Sequence, residues 1–434
     1  MDSEKIAHIR ALLRELFGVA VAAAQPAEVM TEYLPDAPHG RTLVLGAGKA
    51  AAAMAAFIDK NWDAPLSGMV VTRHGQAADC GRITVREAAH PVPDENSVAA
   101  ATEALGLCAD LSHEDLVICL ISGGGSALLS LPGGDISLAE KQEINRQLLS
   151  SGASINEINV VRKHLSAIKG GRLALACAPA RVVTLLISDV PGDDAQLIAS
   201  GPTLPDPATV ADALAVIERF ELKLPPSALR YLDSDQAETP KPGHPAFVGN
   251  EVHVVAAPQL SLEAAADHLR AQGMAVMILS DAVEGESREV GKVLAGIAQQ
   301  VRHRGQPLAA PCILLSGGET TVTLGSVGRS QGKGGPNSEF ALGLALALGG
   351  APGIVALAAD TDGIDGSENN AGSLIDETTL QRARERGLDA TGLLAANQSW
   401  LFFDALGDLI VTGPTDTNVN DFRAIYIDSS GAEA

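Results

Sequence analysis

The apolar positions of this chain keep two rhythms, one helical and one of short unbroken runs. Ile6, Ile9, Leu12, Leu13, Leu16 and Val19 recur at helical spacing before Pro26, which predicts an opening helix over 4–24. Thr42-Leu43-Val44-Leu45 then runs into Gly46-Ala47-Gly48-Lys49 and an alanine-rich stretch over 50–58, a strand, a glycine turn and a helix. The same grammar returns at 116–121 before Ser122-Gly123-Gly124-Gly125-Ser126, and at 182–187 before the acidic loop from Ser188 to Asp194. Unbroken apolar strands alternating with helices predict a parallel sheet covered on both faces, with ligands gathering at the carboxyl ends of its strands.

Between about 222 and 249 the pattern gives way to Leu224-Pro225-Pro226, the polar run 233–238 and Pro240-Lys241-Pro242-Gly243-His244-Pro245, a composition suited to a connection. Strand and helix signals resume at 251–256, 259–271, 274–279, 286–302, 312–315, 320–324, 338–348, 354–358 and 408–412. The expected fold is α/β with two domains. One is a larger Rossmann-like domain over 1–245. The other is a smaller α/β domain over 246–434, whose last strand is a candidate for return to the first.

Charge narrows the partners. Thirty-one Lys and Arg against 53 Asp and Glu leave a net charge of −22, which repels nucleic acid and anionic membrane surfaces. An anionic substrate therefore needs a local basic pocket. Five widely spaced cysteines with no C-x-x-C pair suggest neither a disulfide framework nor a zinc site, and no apolar run reaches the ~18 residues of a membrane span. The cytoplasm is the expected compartment.

Candidate chemistry collects at the loops. Gly46 and Gly48 form a G-x-G turn able to approach a pyrophosphate, but Ala51 stands where a third glycine would be, so a structural turn is an equal reading. Lys49 opposes the helix dipole at that point, an arrangement best tolerated where an anion shares the site. Ser122, Gly123, Gly124, Gly125 and Ser126 offer convergent backbone amides, the better phosphate cradle, although not a Walker A sequence. The stretch 159–171 concentrates Arg162, Lys163, His164 and Lys169, either a solvated helix face or the missing anion pocket, with Arg162 suited to a carboxylate.

Asp189, Asp193 and Asp194 share one loop, and Asp360, Asp362 and Asp365 share another; hard oxygens at such spacing suit Mg²⁺, while turn-forming aspartates are the plain alternative. The second loop is not an EF-hand, since Ala371 occupies the twelfth position. Gly317-Gly318-Glu319, with Lys333 and Asn337 after a further glycine run, are nucleotide-site candidates, and the polar turn 412–421 either lines the same site or caps the last strand.

Taken together, L-G-A-G-K-A at 45–50, H-P-V-P-D-E-N at 90–96, S-G-G-G-S at 122–126, V-R-K-H-L-S-A-I-K-G-G at 161–171, S-D-V-P-G-D at 188–193 and I-A-S-G-P-T at 198–203 resemble the class II glycerate 2-kinases. S-G-G-E-T-T, D-T-D-G-I-D-G-S and the turn near the end look like that family's leucine-rich second domain, and members are often labelled hydroxypyruvate reductases of tartrate utilisation. The resemblance implies a two-domain enzyme with its active site in the cleft, making 2-phosphoglycerate and ADP from D-glycerate and ATP with Mg²⁺. Lys49 matches the family's catalytic lysine. Many members carry an arginine directly after the Gly334-Gly335 pair; Pro336 stands there in this chain, leaving Arg329 or Lys333 as substitutes, and Asp416 stands where glycine is common.

The expected roles follow. Lys49 stabilises the transferring phosphoryl group. Asp189 or Asp193 orients Mg²⁺ or the acceptor hydroxyl. Arg162, Lys163, His164 and Ser122 form the substrate site. Gly46, Gly48, Gly123 to Ser126, Gly317, Gly318, Glu319, Lys333 and Asn337 hold nucleotide, and Asp189, Asp360 and Asp362 the metal. A homodimer is the candidate assembly. A nicotinamide-dependent hydroxypyruvate reductase is the competing enzyme class, and a non-catalytic ligand-binding protein the third reading.

Overall fold

The computed structural model describes residues 1–324 and 332–429. The chain divides into two compact units, one formed by Pro26–Val255 and the other by Met1–Gln25 together with Ala256–Ala434.

The first unit is built on β1 (Thr42–Ala47), β2 (Leu66–Arg73), β3 (Ile83–Ala88), β4 (Leu116–Ile121), β5 (Arg181–Ile187) and β6 (Glu251–Ala256), in the order β3-β2-β1-β4-β5-β6. The pairs from β3 through β5 are parallel. Every residue of β1 and β4 is buried, which is why their sequences show no in–out alternation: helices cover both faces. The chain builds outward from β1 to β2 and β3, then returns to lay β4 on the other side of β1. The carboxyl ends of β1 and β4 are therefore the topological switch point, where open α/β sheets bind ligands. Reciprocal capping boxes, Ser137 with Glu140 and Ser154 with Glu157, start the helices Leu138–Ser150 and Ile155–His164.

The second unit carries β7 (Ala275–Ser280), β8 (Gly285–Glu286), β9 (Cys312–Ser316), β10 (Thr320–Thr321), β11 (Ile354–Asp360), β12 (Gly372–Ile375), β13 (Leu409–Ile410) and β14 (Asp421–Ile427). Its main sheet is mixed, in the order β13-β12-β11-β14-β9-β7. β14 lies antiparallel between β11 and β9, so the last strand completes the second sheet and does not join the first.

The observed division differs from 1–245 and 246–434 at both ends. Strand β6 neighbours β5 in the first sheet, which carries the boundary past 245. The opening helix, Ser3–Ala22, buries Leu13, Leu16 and Phe17 in one cluster with Leu262, Leu269, Val355 and Leu357, and Arg10 pairs with Asp376 at 2.5 Å and Asp408 at 2.6 Å. That helix belongs to the second unit. Among the described residues no helix is long and apolar enough to cross a membrane.

Candidate active site

Strands β1 and β4 end in register, Ala47 beside Ile121, and the turns that follow interlock. The Gly48 amide donates to the Val71 carbonyl at 3.1 Å, the Lys49 amide to the Gly123 carbonyl at 2.8 Å, and the Ala50 amide to the Ser122 hydroxyl at 3.0 Å. A Cβ on Gly48, whose φ is +140°, would sit 2.1 Å from Ser122 Oγ, and one on Gly46 would sit 2.6 Å from the Leu120 carbonyl oxygen. The G-x-G turn is thus closed on its own fold. Gly46 and Gly48 are required by close packing, which corrects the expectation that their turn cradles a phosphate; what it does is fix the base of Lys49.

The second turn is different. The Ser122 amide donates to Ala47 and that of Gly125 to Ser122, but among the described residues the amides of Gly123, Gly124 and Ser126 have no protein acceptor. Gly124 is left-handed at φ +77°, and a Cβ there would lie 3.1 Å from the His90 ring and 3.5 Å from Lys49 Cγ, so the lysine stem, the imidazole and these amides are neighbours. Asp189 follows β5. Burial raises its carboxyl above the ordinary range, and the Lys49 ammonium pulls in the opposite direction. The carboxyl ends of β1, β4 and β5 therefore bring together one ammonium, one carboxyl and three open amides, the parts that neutralise charge on a phosphoryl group. Asp193 lies on the same loop at φ +54°, its amide donating to Val190 at 3.0 Å.

The basic stretch 162–169 splits into separate groups. Arg162 is half-buried and its Nε donates to Asn145 Oδ1 at 3.2 Å. Lys163 instead pairs with buried Asp206 at 3.3 Å. His164 is fully buried, its Nδ1 2.7 Å from the Val160 carbonyl and its Nε2 3.4 Å from Thr239 Oγ1, and burial lowers its pKa. The structure thus gives Lys163 and His164 structural partners and does not bring them together with Ser122. Lys169 Nζ reaches back to the Ser126 carbonyl at 2.7 Å and that of Leu129 at 3.3 Å.

Ser200 escaped sequence reasoning. Its hydroxyl donates to Asn159 at 2.7 Å and meets Ser126 Oγ at 3.0 Å, and Ala199 and Ser200 are both left-handed, at φ +51° and +62°. Non-glycine residues persist in that region only where their surroundings enforce it, often at functional sites. Nothing in an I-A-S-G-P-T string announces it.

In the second unit Pro336 opens the helix Pro336–Leu348 at a position where proline's missing N–H costs nothing. Asn337 is buried, donating to Asp421 Oδ1 at 2.6 Å. Arg423, buried completely, donates to Asp421, to the Gly317 carbonyl at 2.9 Å and to Thr320 Oγ1 at 3.1 Å. Gly318 is held at φ +101° with Val283 backbone 2.2 Å from where a Cβ would be. Gly317, Gly318 and Asn337 are thus parts of a packed interior, while Glu319 is exposed. Lys333 is half-exposed, with Nζ 5.1 Å from the Trp400 ring centre and 3.8 Å from Glu368. Beside it Gly332, Gly334, Gly335, Pro336 and Ser367 line a cavity of about 380 Å³, within the usual range for small-ligand sites. Arg329 lies outside the described residues.

Of the three aspartates expected to hold metal, Asp189 belongs to the first unit and Asp360 and Asp362 to the second. Among the described residues no group of three or more His, Cys, Asp or Glu side chains could hold a metal ion. Asp360 Oδ1 accepts the Asp362 amide at 2.9 Å, and Asp362 Oδ1 accepts that of Ile364 at 2.8 Å. Either location fits a magnesium ion that takes one or two carboxylate oxygens and completes its shell with substrate phosphate and water; neither fits an all-protein cage.

Two family models match the chain, a domain of unknown function called DUF4147 over residues 12–233 and the MOFRL family over 312–421. A protein of Agrobacterium vitis, named as a candidate hydroxypyruvate reductase, is 54% identical over 96% of this chain and 94% of its own. The glycerate 2-kinase of Pyrococcus horikoshii is 38% identical over 97% of this chain and 98% of its own. The crystal structure of a glycerate kinase from Thermotoga maritima superposes with a TM-score of 0.87 at 37% identity, covering 97% of this chain and all of that one.

Proposed function

The chain belongs to the glycerate kinase family that joins DUF4147 to MOFRL, and from that premise we propose that it transfers the terminal phosphoryl group of ATP to the C2 hydroxyl of D-glycerate, releasing 2-phosphoglycerate and ADP. The observation that carries this reading is Lys49, with Asp189 and the open amides of Gly123, Gly124 and Ser126 about it, at the switch point of a parallel sheet. Phosphoryl transfer needs alignment and charge neutralisation more than covalent help. Lys49 stabilises the charge on the moving group, and the three amides hold its oxygens. Asp189, its carboxyl raised by burial, takes the proton of the acceptor hydroxyl as the new O–P bond forms. Arg162 grips the glycerate carboxylate. In the second unit Lys333 and the cavity beside it hold nucleotide. Magnesium, held by Asp189 or by Asp360 and Asp362, would supply charge neutralisation on the phosphates.

We place the protein in the cytoplasm, acting on small molecules, with a homodimer as the assembly to test. The name of the Agrobacterium vitis relative motivates a second reading, reduction of hydroxypyruvate by a nicotinamide cofactor. Against it stands the closed Gly46–Lys49 turn, whose amides at 48 to 50 are occupied within the fold. An ADP-release assay with D-glycerate, tartronate and hydroxypyruvate, run beside an NADH-oxidation assay, decides. ADP release with glycerate supports the kinase; NADH consumption with hydroxypyruvate and no ADP release refutes it.

A further inference from the structure

In the first unit a buried lysine, Lys141, lies beside the half-buried Arg162, and the roles assigned so far use only the arginine. Lys141, on the helix Leu138–Ser150, is 5% exposed, and it has no hydrogen-bond acceptor among the described residues. Arg162, on the helix Ile155–His164, has only the Asn145 amide oxygen. Lys169 is 2% exposed and adds a third charge nearby, spent on the carbonyls of Ser126 and Leu129. Among the described residues none of the three has a carboxylate within 4 Å. Lys141, Asn145 and Arg162 meet around a cavity of about 10 Å³, closed by Ile136, Ile144, Leu148 and Leu165, room for about one water-sized group.

A fully solvated helix face does not explain this, because only 5% of Lys141 is exposed. A helix cap explains only Lys169, which satisfies carbonyls at the end of the short helix Gly125–Leu128. Uncompensated buried charge is costly, and an arginine cannot escape by losing its proton. Burial, and then Arg162, push the Lys141 ammonium down to about 7, and an anion beside the pair would favour its charged form.

We propose that Lys141, with Arg162 and Asn145, receives one oxygen of the acceptor's carboxylate, making Lys141 a specificity-determining residue for α-hydroxy acids over uncharged alcohols. Lys169 is the positioning residue that ties this receptor to the 122–126 turn. The assignment rests on the glycerate kinase reading for the identity of the acid, and the cavity size limits the guest to one end of it.

The test is calorimetric binding of D-glycerate to the full chain and to Lys141→Met and Lys141→Gln, without nucleotide, alongside thermal melts and turnover with glycerol. The expected result is folded variants, melting at or above the parent because a buried charge is gone, with glycerate Kd raised about 10- to 100-fold, the range for losing a charged hydrogen bond. Turnover with glycerol, which has no carboxylate, should change less than threefold. Unchanged glycerate Kd in both folded variants overturns the proposal. So does chloride that raises the parent's melting temperature, but not the variants', while glycerate Kd stays the same, since the site would then take an inorganic anion. Because binding is read without turnover, Lys141-dependent glycerate binding in a protein that releases no ADP would refute the kinase and leave the receptor standing.

Discussion

Asp365 and Ser338 are joined twice: one carboxylate oxygen accepts both the Ser338 amide at 2.8 Å and its hydroxyl at 2.6 Å, while the other accepts the Asn337 amide at 2.8 Å. A loop aspartate thereby caps the helix Pro336–Leu348, whose own N-cap, Gly335, has no side chain to do so. Burial nevertheless outweighs these donors and pushes the carboxyl up to about 6 from 3.8. The folded protein thus holds this proton where the unfolded chain has lost it. Its contribution to stability is complete below about pH 4 and falls away as pH rises to about 6. Melting curves across that window should show the slope, and Asp365→Asn should flatten it; an identical slope in the variant would exclude Asp365 as its source.

Lys49→Ala should lower kcat with D-glycerate by about 10²- to 10³-fold, the range seen when one preorganised transition-state donor is removed. The lysine is only half-buried, so the melting temperature should move little. Unchanged turnover would remove Lys49 from the chemistry.

The glycines of the two turns should respond differently to alanine. At Gly48 the added methyl lies 2.1 Å from Ser122 Oγ and 2.5 Å from its backbone oxygen, so Gly48→Ala should lower stability together with activity. At Gly124 the nearest atoms are the His90 ring at 3.1 Å, a side chain able to shift. Gly124→Ala, strained by its φ of +77° but spared a backbone collision, should therefore cost less in melting temperature than Gly48→Ala and show in kcat as well. Equal losses of stability would contradict the separation of a packing turn from a ligand turn.

Lys163→Ala leaves Asp206 buried without its cation, which typically costs about 3–5 kcal/mol. The effect should appear in denaturant midpoints, with the KM for glycerate in the folded fraction unchanged. Arg162→Ala should do the reverse, raising KM with a smaller stability change. A KM effect confined to Lys163 would restore it to the substrate site.

The parallel sheet was legible because its central strands are buried on both faces and their sequences therefore read as unbroken apolar runs; 42–45, 116–121 and 182–187 were all read correctly as strands. Strands β2, β3, β12 and β14 were passed over. Edge strand β3 alternates Thr84, Arg86 and their apolar neighbours, and β14 hides Arg423 and Asp421 in a buried strand. Polar residues that satisfy each other inside a sheet look, in sequence, like a loop. Lys49, the 122–126 turn and Asp189 stand out in the sequence as candidates because glycine and charge at strand ends have few other uses. Which amides of those turns remain open was not, since that depends on Val71 and Ser122, distant in sequence. Arg162, Lys163 and His164 are consecutive and appeared to be one basic group; helical geometry sends successive side chains in different directions, and their partners Asn145, Asp206 and Thr239 give no local sign.

The discontinuous unit also constrains how the nascent chain acquires structure. Residues 26–255 emerge from the ribosome as one uninterrupted stretch and can settle as they appear. The helix Ser3–Ala22, made before that stretch, must wait through the whole of it for Leu262, Leu269 and Val355. Its sheet then waits for β14, made after the other strands of that sheet and seated between β11 and β9. Until then the apolar side of the helix is uncovered, so stalled chains ending before Asp421 should present Leu13, Leu16 and Phe17 to chaperones and proteases, while finished chains should not.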